Sequence, residues 1–165
     1  MSTKNENTTL DLSYFMRENK PSESEYPAPK GFVDKDGNRI NLKFRILSES
    51  EITEIRRHWR ETRFAKDERT GRYIFTPTGK IATYENYDGD SAMREMLVES
   101  LVYPNLRDKN LMAHFNCVNA FDMPTNVFTR DEYAYVVNAF DKLHGYGDVS
   151  NDDDEEDSDI DKAKN

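Results

Sequence analysis

The alternation of apolar and polar positions is clearest in the stretch from Gly31 to Arg63. Asp36-Gly37 is a dipeptide typical of a tight two-residue turn, and Gly31-Phe32-Val33 before it predicts a short strand. After the turn, every second residue is apolar, which predicts a longer strand with one buried face: Ile40, Leu42, Phe44 and Ile46. This stretch therefore predicts a β-hairpin that lies against a core.

A helix is predicted directly after that strand. Ser48 and Glu51 have the spacing of a capping box, in which each side chain satisfies a free backbone N–H at the start of a helix. Ile52, Ile55 and Trp59 then recur at helical spacing, so one stripe of the helix can pack on the sheet.

The rest of the chain predicts a second hairpin and further helices. Residues 72–75 and 80–84 flank Thr76-Pro-Thr-Gly79, which suits a turn, and this aromatic hairpin is expected to project from the surface. One helix is predicted from about Asp88 to Tyr103-Pro104, and a short one within 105–128 that Pro124 interrupts. A second capping box, Thr129–Glu132, begins a helix that stops at Gly145. The fold class is α+β, with small antiparallel β-hairpins packed with about four α-helices.

The two ends of the chain differ in composition from its middle. Residues 1–30 predict a flexible N-terminal segment, in which Leu10, Leu12, Phe15 and Met16 suit a short amphipathic helix. Its last part, KPSESEYPAPK (20–30), holds three prolines and predicts a linker. Residues 31–147 form the predicted globular domain, and residues 148–165 a disordered acidic tail.

Charge and composition narrow the class of protein. The net charge is −9, and residues 148–165 alone hold nine acidic and two basic side chains, which leaves −2 for the remaining 147 residues. Such a chain is a poor nucleic-acid binder, and no apolar run approaches the roughly 20 residues that span a bilayer. The N-terminus lacks the pattern of a signal peptide, and the single cysteine, Cys117, excludes an internal disulfide framework. We therefore expect a cytoplasmic protein that binds neither nucleic acid nor membrane.

No pattern of residues predicts catalysis, a metal or a cofactor. His58, His114 and His144 fall on separate predicted elements without the spacing of metal ligands. The run that starts at Asp34 begins like a calcium loop, but Arg39 and Arg45 occupy its sixth and twelfth positions, where glycine and glutamate are needed. Glycine-rich phosphate loops and the nucleophile elbow GxSxG do not occur. The sequence predicts a protein without enzymatic activity.

One basic cluster lies on and just after the first long helix: Arg56, Arg57, Arg60, Arg63 and Lys66. It could contact phosphates, but pairing with Glu54 and Glu61 on a solvated helix face is the favoured interpretation. The cluster could also attract the acidic tail of this chain or of a neighbour.

Several segments resemble, in order and spacing, one family of phage proteins. These segments are LSYFMRENK (12–20), GFVDKDGNRINLKFRILSESEITEIR (31–56), VYPNLRD (102–108), FTRDEY (128–133), DKLHGY (141–146) and DKAKN (161–165). The chain resembles the XkdN-like tail assembly chaperones of tailed bacteriophages and of prophages with PBSX-type contractile tails. Residues 66–87 and the aspartate-rich tail match that pattern least.

The resemblance implies a non-catalytic role in the host bacterial cytoplasm during virion assembly. Such chaperones bind the tape measure protein, whose apolar helices would otherwise aggregate, and help bring tail tube subunits to it. They are absent from the finished particle. The partners expected are therefore the tape measure protein, the tail tube protein and further copies of this chain.

A chaperone for an apolar client must expose apolar surface and stay soluble, and the acidic tail supplies charge repulsion for this purpose. The candidate partner-binding residues lie in the N-terminal segment and in the aromatic hairpin: Leu12, Tyr14, Phe15, Met16, Tyr73 and Phe75. Two other readings stay open. One is a structural tail component that is retained in the virion, and the other is an acidic mimic of nucleic acid that binds a DNA-binding host protein.

Overall fold

A computed structural model describes residues 12–16 and 22–146. Within them the fold is α+β, as predicted, with five α-helices and two small antiparallel sheets. The strands are β1 (Glu23–Pro27), β2 (Asn41–Arg45), β3 (Arg60–Phe64), β4 (Thr83–Tyr87) and β5 (Leu101–Tyr103). The helices are α1 (Glu49–His58), α2 (Gly89–Ser100), α3 (Lys109–His114), α4 (Met123–Val127) and α5 (Arg130–Leu143), and Leu12–Phe15 forms a single 3₁₀ turn. The predicted tail 148–165 lies outside the described residues.

The first sheet has the strand order β1-β2-β5, with both pairs antiparallel. Leu42 and Phe44 on β2 are fully buried, which confirms the predicted alternation of this strand. The turn at Asp36-Gly37 is also confirmed, because the backbone pairs across it and Gly37 has a φ of +82°. The strand predicted at Gly31-Phe32-Val33 shrinks to a single bridge between Val33 and Arg39.

The predicted linker over residues 20–30 is wrong for residues 23–27, because Glu23–Pro27 is the edge strand of this sheet. Proline removes a ladder hydrogen bond, which an edge strand tolerates, since one of its sides is unpaired. Tyr135 on α5 fixes the strand by donating from its hydroxyl to the Pro27 carbonyl oxygen at 3.0 Å. The Tyr26 ring packs on that of Tyr135 with centroids 5.8 Å apart, and Ala28 just beyond the strand is fully buried.

Helix α1 begins and packs as the sequence predicts. The Ser48 hydroxyl accepts from the Glu51 N–H, and the Ser48 N–H donates to the Glu51 carboxylate at 2.8 Å. Ile52 and Ile55 are buried, whereas Trp59 is the C-cap residue and half-buried. The indole N–H of Trp59 donates to the carboxylate of Glu95 on α2, so the end of α1 is tied to the second helix.

Helix α2 is the centre of the core. It contacts α1, α4, α5, β2 and β5, and none of its residues from Ser91 to Ser100 is exposed. Six of them are buried: Ser91, Ala92, Met96, Leu97, Val98 and Ser100. The helix starts where predicted, and Asp88 caps it by accepting from the Ser91 N–H at 3.0 Å. Hydrogen bonds from the Ser91 hydroxyl and from this N–H lower the pKa of Asp88. The helix ends before its predicted limit, because Leu101–Tyr103 leave it to pair with β2.

Residues 105–128 hold more helix than the sequence indicated. Asp108 caps α3 by accepting from the Asn110 and Leu111 N–H groups at 2.9 Å. Pro124 lies in the first turn of α4 instead of interrupting a helix, since a proline in the first helical turn loses no hydrogen bond. Helix α5 begins as predicted, with the Thr129 N–H donating to Glu132 at 2.8 Å, and it ends before Gly145, whose φ is +76°.

Residues 60–87 form a separate feature, which we call the β arm. Strands β3 and β4 pair along their length, and the chain between them folds into two tight turns. Ala65, Ile74 and Ala82 close the arm with a cycle of three backbone hydrogen bonds of 2.8, 3.0 and 2.7 Å. No residue of the β arm is buried, so it stands outside the core.

We expect Phe44→Ala and Phe75→Ala to have very different effects on stability. Phe44 is fully buried and Phe75, near the tip of the β arm, is 61% exposed. Phe44→Ala should therefore lower the free energy of unfolding by about 3–5 kcal/mol through lost burial and a cavity, whereas Phe75→Ala should change it by less than about 0.5 kcal/mol. Urea denaturation of both variants measures the difference. Equal losses would contradict the separation of the arm from the core.

His144 should make stability depend on pH. Its Nδ1–H donates to the Phe140 carbonyl oxygen at 2.8 Å, and its Nε2 accepts from the Leu47 N–H at 2.9 Å, so the neutral imidazole is the bonded form. Burial lowers the pKa of His144 from 6.5, while nearby Asp141 opposes this shift. The unfolded chain then binds the proton first, and stability present above pH 6.5 is lost as the pH falls below it.

Urea denaturation between roughly pH 7.5 and 5.5 measures this loss. His144→Gln should remove most of the dependence on pH, and His114→Gln, at an exposed position, is the control that should retain it. An unchanged pH profile in His144→Gln would contradict the role assigned to this imidazole.

Candidate partner-binding surfaces

The predicted binding residues of the N-terminal segment are exposed. The side chains of Leu12, Phe15 and Met16 are 65%, 83% and 77% exposed, so in this structure they are not part of the core. Tyr14 lies in the same 3₁₀ turn. Among the described side chains, those of Leu12, Phe15 and Met16 form no hydrogen bond or ring contact with the β arm.

Tyr73 and Phe75 lie on the β arm, where the structure adds four large side chains to them. The exposed aromatic and aliphatic residues of the arm are Phe64, Tyr73, Ile74, Phe75, Tyr84 and Tyr87. Phe64 and Tyr73 meet edge to face with ring centroids 6.0 Å apart. Phe75 follows Tyr73 by two residues, so both point to the same side of the extended backbone. No pattern in the sequence indicated Phe64, because strand β3 has no buried face and therefore no apolar alternation.

Two cations lie over aromatic rings on this side of the β arm. The Lys66 ammonium is 4.9 Å from the ring centroid of Tyr73, and the Arg60 guanidinium is 5.3 Å from that of Tyr87. Arg60 and Tyr87 are direct cross-strand partners, as are Lys66 and Tyr73. Cation–π contacts of this kind are worth about 0.5–1 kcal/mol at exposed sites and cover part of each ring. This side of the β arm therefore presents both aromatic rings and positive charges.

A small apolar groove lies at one end of the first sheet and was not expected from the sequence. Its volume is about 200 Å³, and polar atoms form little of its wall. Its lining comes from the hairpin, from β5 and from the helical segments that follow: Phe32, Ile40, Leu42, Tyr103, Pro104, Leu111, Val127 and Phe128. The residues are far apart in sequence, so no local pattern could have indicated the groove.

The residues with possible metal or catalytic chemistry are used in local structure. Asp34 accepts from the Asp36 and Asn38 N–H groups at 2.9 Å, which stabilises the hairpin turn and lowers the pKa of Asp34. His58 lies 2.9 Å from the Glu95 carboxylate, and the Cys117 thiol donates to the Asn119 carbonyl oxygen. Among residues 12–16 and 22–146, no three His, Cys, Asp or Glu side chains are placed to hold a metal ion. No helix in the same ranges is long and apolar enough to cross a bilayer.

Comparisons with known proteins agree with the resemblance seen in the sequence. The chain is 28% identical over 159 residues to the phage-like element PBSX protein XkdN of Bacillus subtilis (strain 168), with 94% of this chain and 98% of that protein covered. It is also 28% identical over 160 residues to the uncharacterized protein YqbN of the same strain, with 90% and 93% covered. The crystal structure of the protein YqbN has the same fold, with a TM-score of 0.61 at 24% identity, and covers 83% of this chain and 98% of its own.

A family model gives the decisive comparison. The model of phage XkdN-like tail assembly chaperone proteins matches residues 12–164, which is nearly the whole chain. That family is one of chaperone-type phage proteins and not of enzymes. This chain therefore belongs to the family of phage XkdN-like tail assembly chaperone proteins.

Proposed function

We propose that this protein binds the tape measure protein of its phage or prophage in the host cytoplasm and keeps it soluble. In this proposal it also assists the tail tube protein to assemble around the tape measure protein, and it leaves before the virion is complete. It works by binding alone, without a cofactor or a catalysed reaction. Membership of the tail assembly chaperone family supports the general role.

The observation that carries the proposal is the exposed aromatic surface of the β arm. Monomeric proteins rarely leave large apolar side chains grouped on their surface unless a partner covers them. Here Phe64, Tyr73 and Phe75 share one side of a feature that contributes nothing buried to the core. A partner can therefore bind to this side and leave it without changing how the rest of the chain packs.

The chemistry of that surface suits an apolar helical client. Aromatic side chains provide a large contact area and lose little conformational entropy when they bind, which makes them common anchors at interfaces. The cations at Arg60 and Lys66 can meet acidic residues on the polar flank of an amphipathic helix. The β arm would then bind one helix face at a time, and several copies could cover a long client.

Co-expression with the tape measure protein encoded nearby tests this function. We expect the unaltered chain to hold the tape measure protein in the soluble fraction and to be recovered with it in a pull-down. The double variant Tyr73→Ser and Phe75→Ser should reduce that soluble fraction severalfold, because it removes two adjacent anchors. The matched control, Val33→Ser and Val118→Ser, alters exposed apolar residues outside the arm and should leave the fraction unchanged.

Two results would overturn the proposal. One is precipitation of the tape measure protein with the unaltered chain and no complex. The other is recovery of this chain in purified virions at a fixed ratio to the tail tube protein, measured by mass spectrometry. The second result would favour a structural tail component over a chaperone.

The N-terminal segment supplies a second proposed contact, to the client or to a neighbouring copy. Phe15 and Met16 are both more than three-quarters exposed, so Phe15→Asp with Met16→Asp removes apolar surface without opening a cavity. We expect the melting temperature of the monomer to stay nearly unchanged and the soluble fraction of the client to fall. A large drop in the melting temperature would show instead that this segment packs on its own domain.

A further inference from the structure

The cations of the basic cluster follow one another along one stretch of the chain, which we call the basic strip. It runs from the last turn of α1 into the β arm: Arg56, Arg57, Arg60, Arg63 and Lys66. Arg63 pairs with Glu61, whereas Glu54 pairs with none of them. The other four cations have no ion pair with any carboxylate of residues 12–16 and 22–146. Within the described residues, no carboxylate therefore pairs with the positive charges of these four side chains.

Three of these four cations lie over aromatic rings. Arg60 and Lys66 lie over Tyr87 and Tyr73, and the Arg56 guanidinium lies 5.8 Å from the ring centroid of Tyr146. A guanidinium stacked on a ring keeps its N–H groups free at the edge, where they can donate to a carboxylate. The strip is thus preorganised for an extended acidic chain.

The described chain ends beside this strip. Tyr146 is its last residue, and the Tyr146 hydroxyl donates to the Glu49 carboxylate at 2.9 Å while its ring lies under Arg56. The acidic segment, residues 148–165, carries nine acidic and two basic side chains and follows directly. Its densest acidic run, Asp152–Asp157, therefore begins only six residues beyond a point that is already in contact with the strip.

The lengths match. At about 3.4 Å per extended residue, Asp152 can lie up to roughly 20 Å from Tyr146 and Asp157 up to roughly 37 Å. The path from Arg56 to Lys66 is at most about 30 Å, counting the end of a helix and a short extended segment. The acidic run can therefore reach every cation of the strip from the same chain.

We propose that the acidic segment 148–165 binds the basic strip of its own chain. Up to four of its carboxylates meet cations that have no ion-pair partner among the described residues. The segment is already tethered next to the first of these cations, so its effective concentration is high. Arg57, Arg60 and Lys66 are exposed to solvent, and salt therefore weakens the contact. If the function proposed above is also correct, the bound segment lies beside Tyr73 and competes with the client for the β arm.

A spin label on the acidic segment tests the contact in the full chain. Cys117→Ser removes the native thiol, and Ser158→Cys provides the site for a nitroxide. At about 0.02 M salt we expect roughly a twofold or larger loss of NMR intensity for the backbone amides of Arg57, Arg60 and Lys66, and recovery at about 0.5 M salt. The amides of α3, which is remote from the strip in sequence and carries none of its cations, should keep their intensity.

Matched charge changes separate this contact from a general effect of net charge. Arg57→Gln, Arg60→Gln and Lys66→Gln together should abolish the intensity loss. Lys30→Gln, Lys35→Gln and Lys109→Gln remove the same charge from other exposed positions and should retain it. Intensity loss spread evenly over the surface, or its persistence in the first triple variant, would overturn the proposal. So would loss that appears only between labelled and unlabelled copies, since the strip would then bind another chain.

Discussion

The packing of α2 against β2 is the interaction on which the rest of the structure depends. Leu42 and Phe44 are buried in the same cluster as Met96 and Leu97, and every other core helix except α3 meets α2. The Ser100 hydroxyl, fully buried at the end of α2, donates to the Arg45 carbonyl oxygen at 2.8 Å. A buried polar group of this kind is costly without a partner, so this bond fixes the position of the helix along the strand.

The same arrangement keeps the β arm separate from the packing of the core. The chain leaves the core at Trp59 and returns at Asp88, and the Asp88 N–H donates to the Trp59 carbonyl oxygen at 3.0 Å. That hydrogen bond joins the two ends of the β arm, directly before the capped start of α2. Because the arm buries nothing in the core, its side chains are free to serve binding, and the stability of the domain does not constrain them.

The sequence predicted those elements that have one buried face or a helix cap. The alternation around Phe44 and the boxes at Ser48 and Thr129 are local patterns, and the structure confirms each of them. Strand β3 was not predicted because all its residues are exposed. Strand β1 was not predicted because it contains a proline, which a strand tolerates only at the edge of a sheet. Within the candidate partner-binding surface, the aromatic hairpin in the sequence was sufficient to predict that Tyr73 and Phe75 are exposed. Phe64 and the apolar groove depend on contacts between distant residues, which no local pattern encodes.

The β arm also shows how an aromatic surface can remain in water before its partner arrives. Lys66 and Arg60 cover the faces of Tyr73 and Tyr87, so part of each ring contacts a cation and its alkyl stem instead of solvent. This cover is weak, about 0.5–1 kcal/mol for each pair, and long side chains change rotamer easily. In the proposed function, a client helix displaces this cover at little cost, whereas moving a ring out of the core would cost several kcal/mol. Weakly covered aromatic residues on a feature outside the core thus meet both demands on a reversible chaperone, which must be soluble when free and adhesive when its client is present.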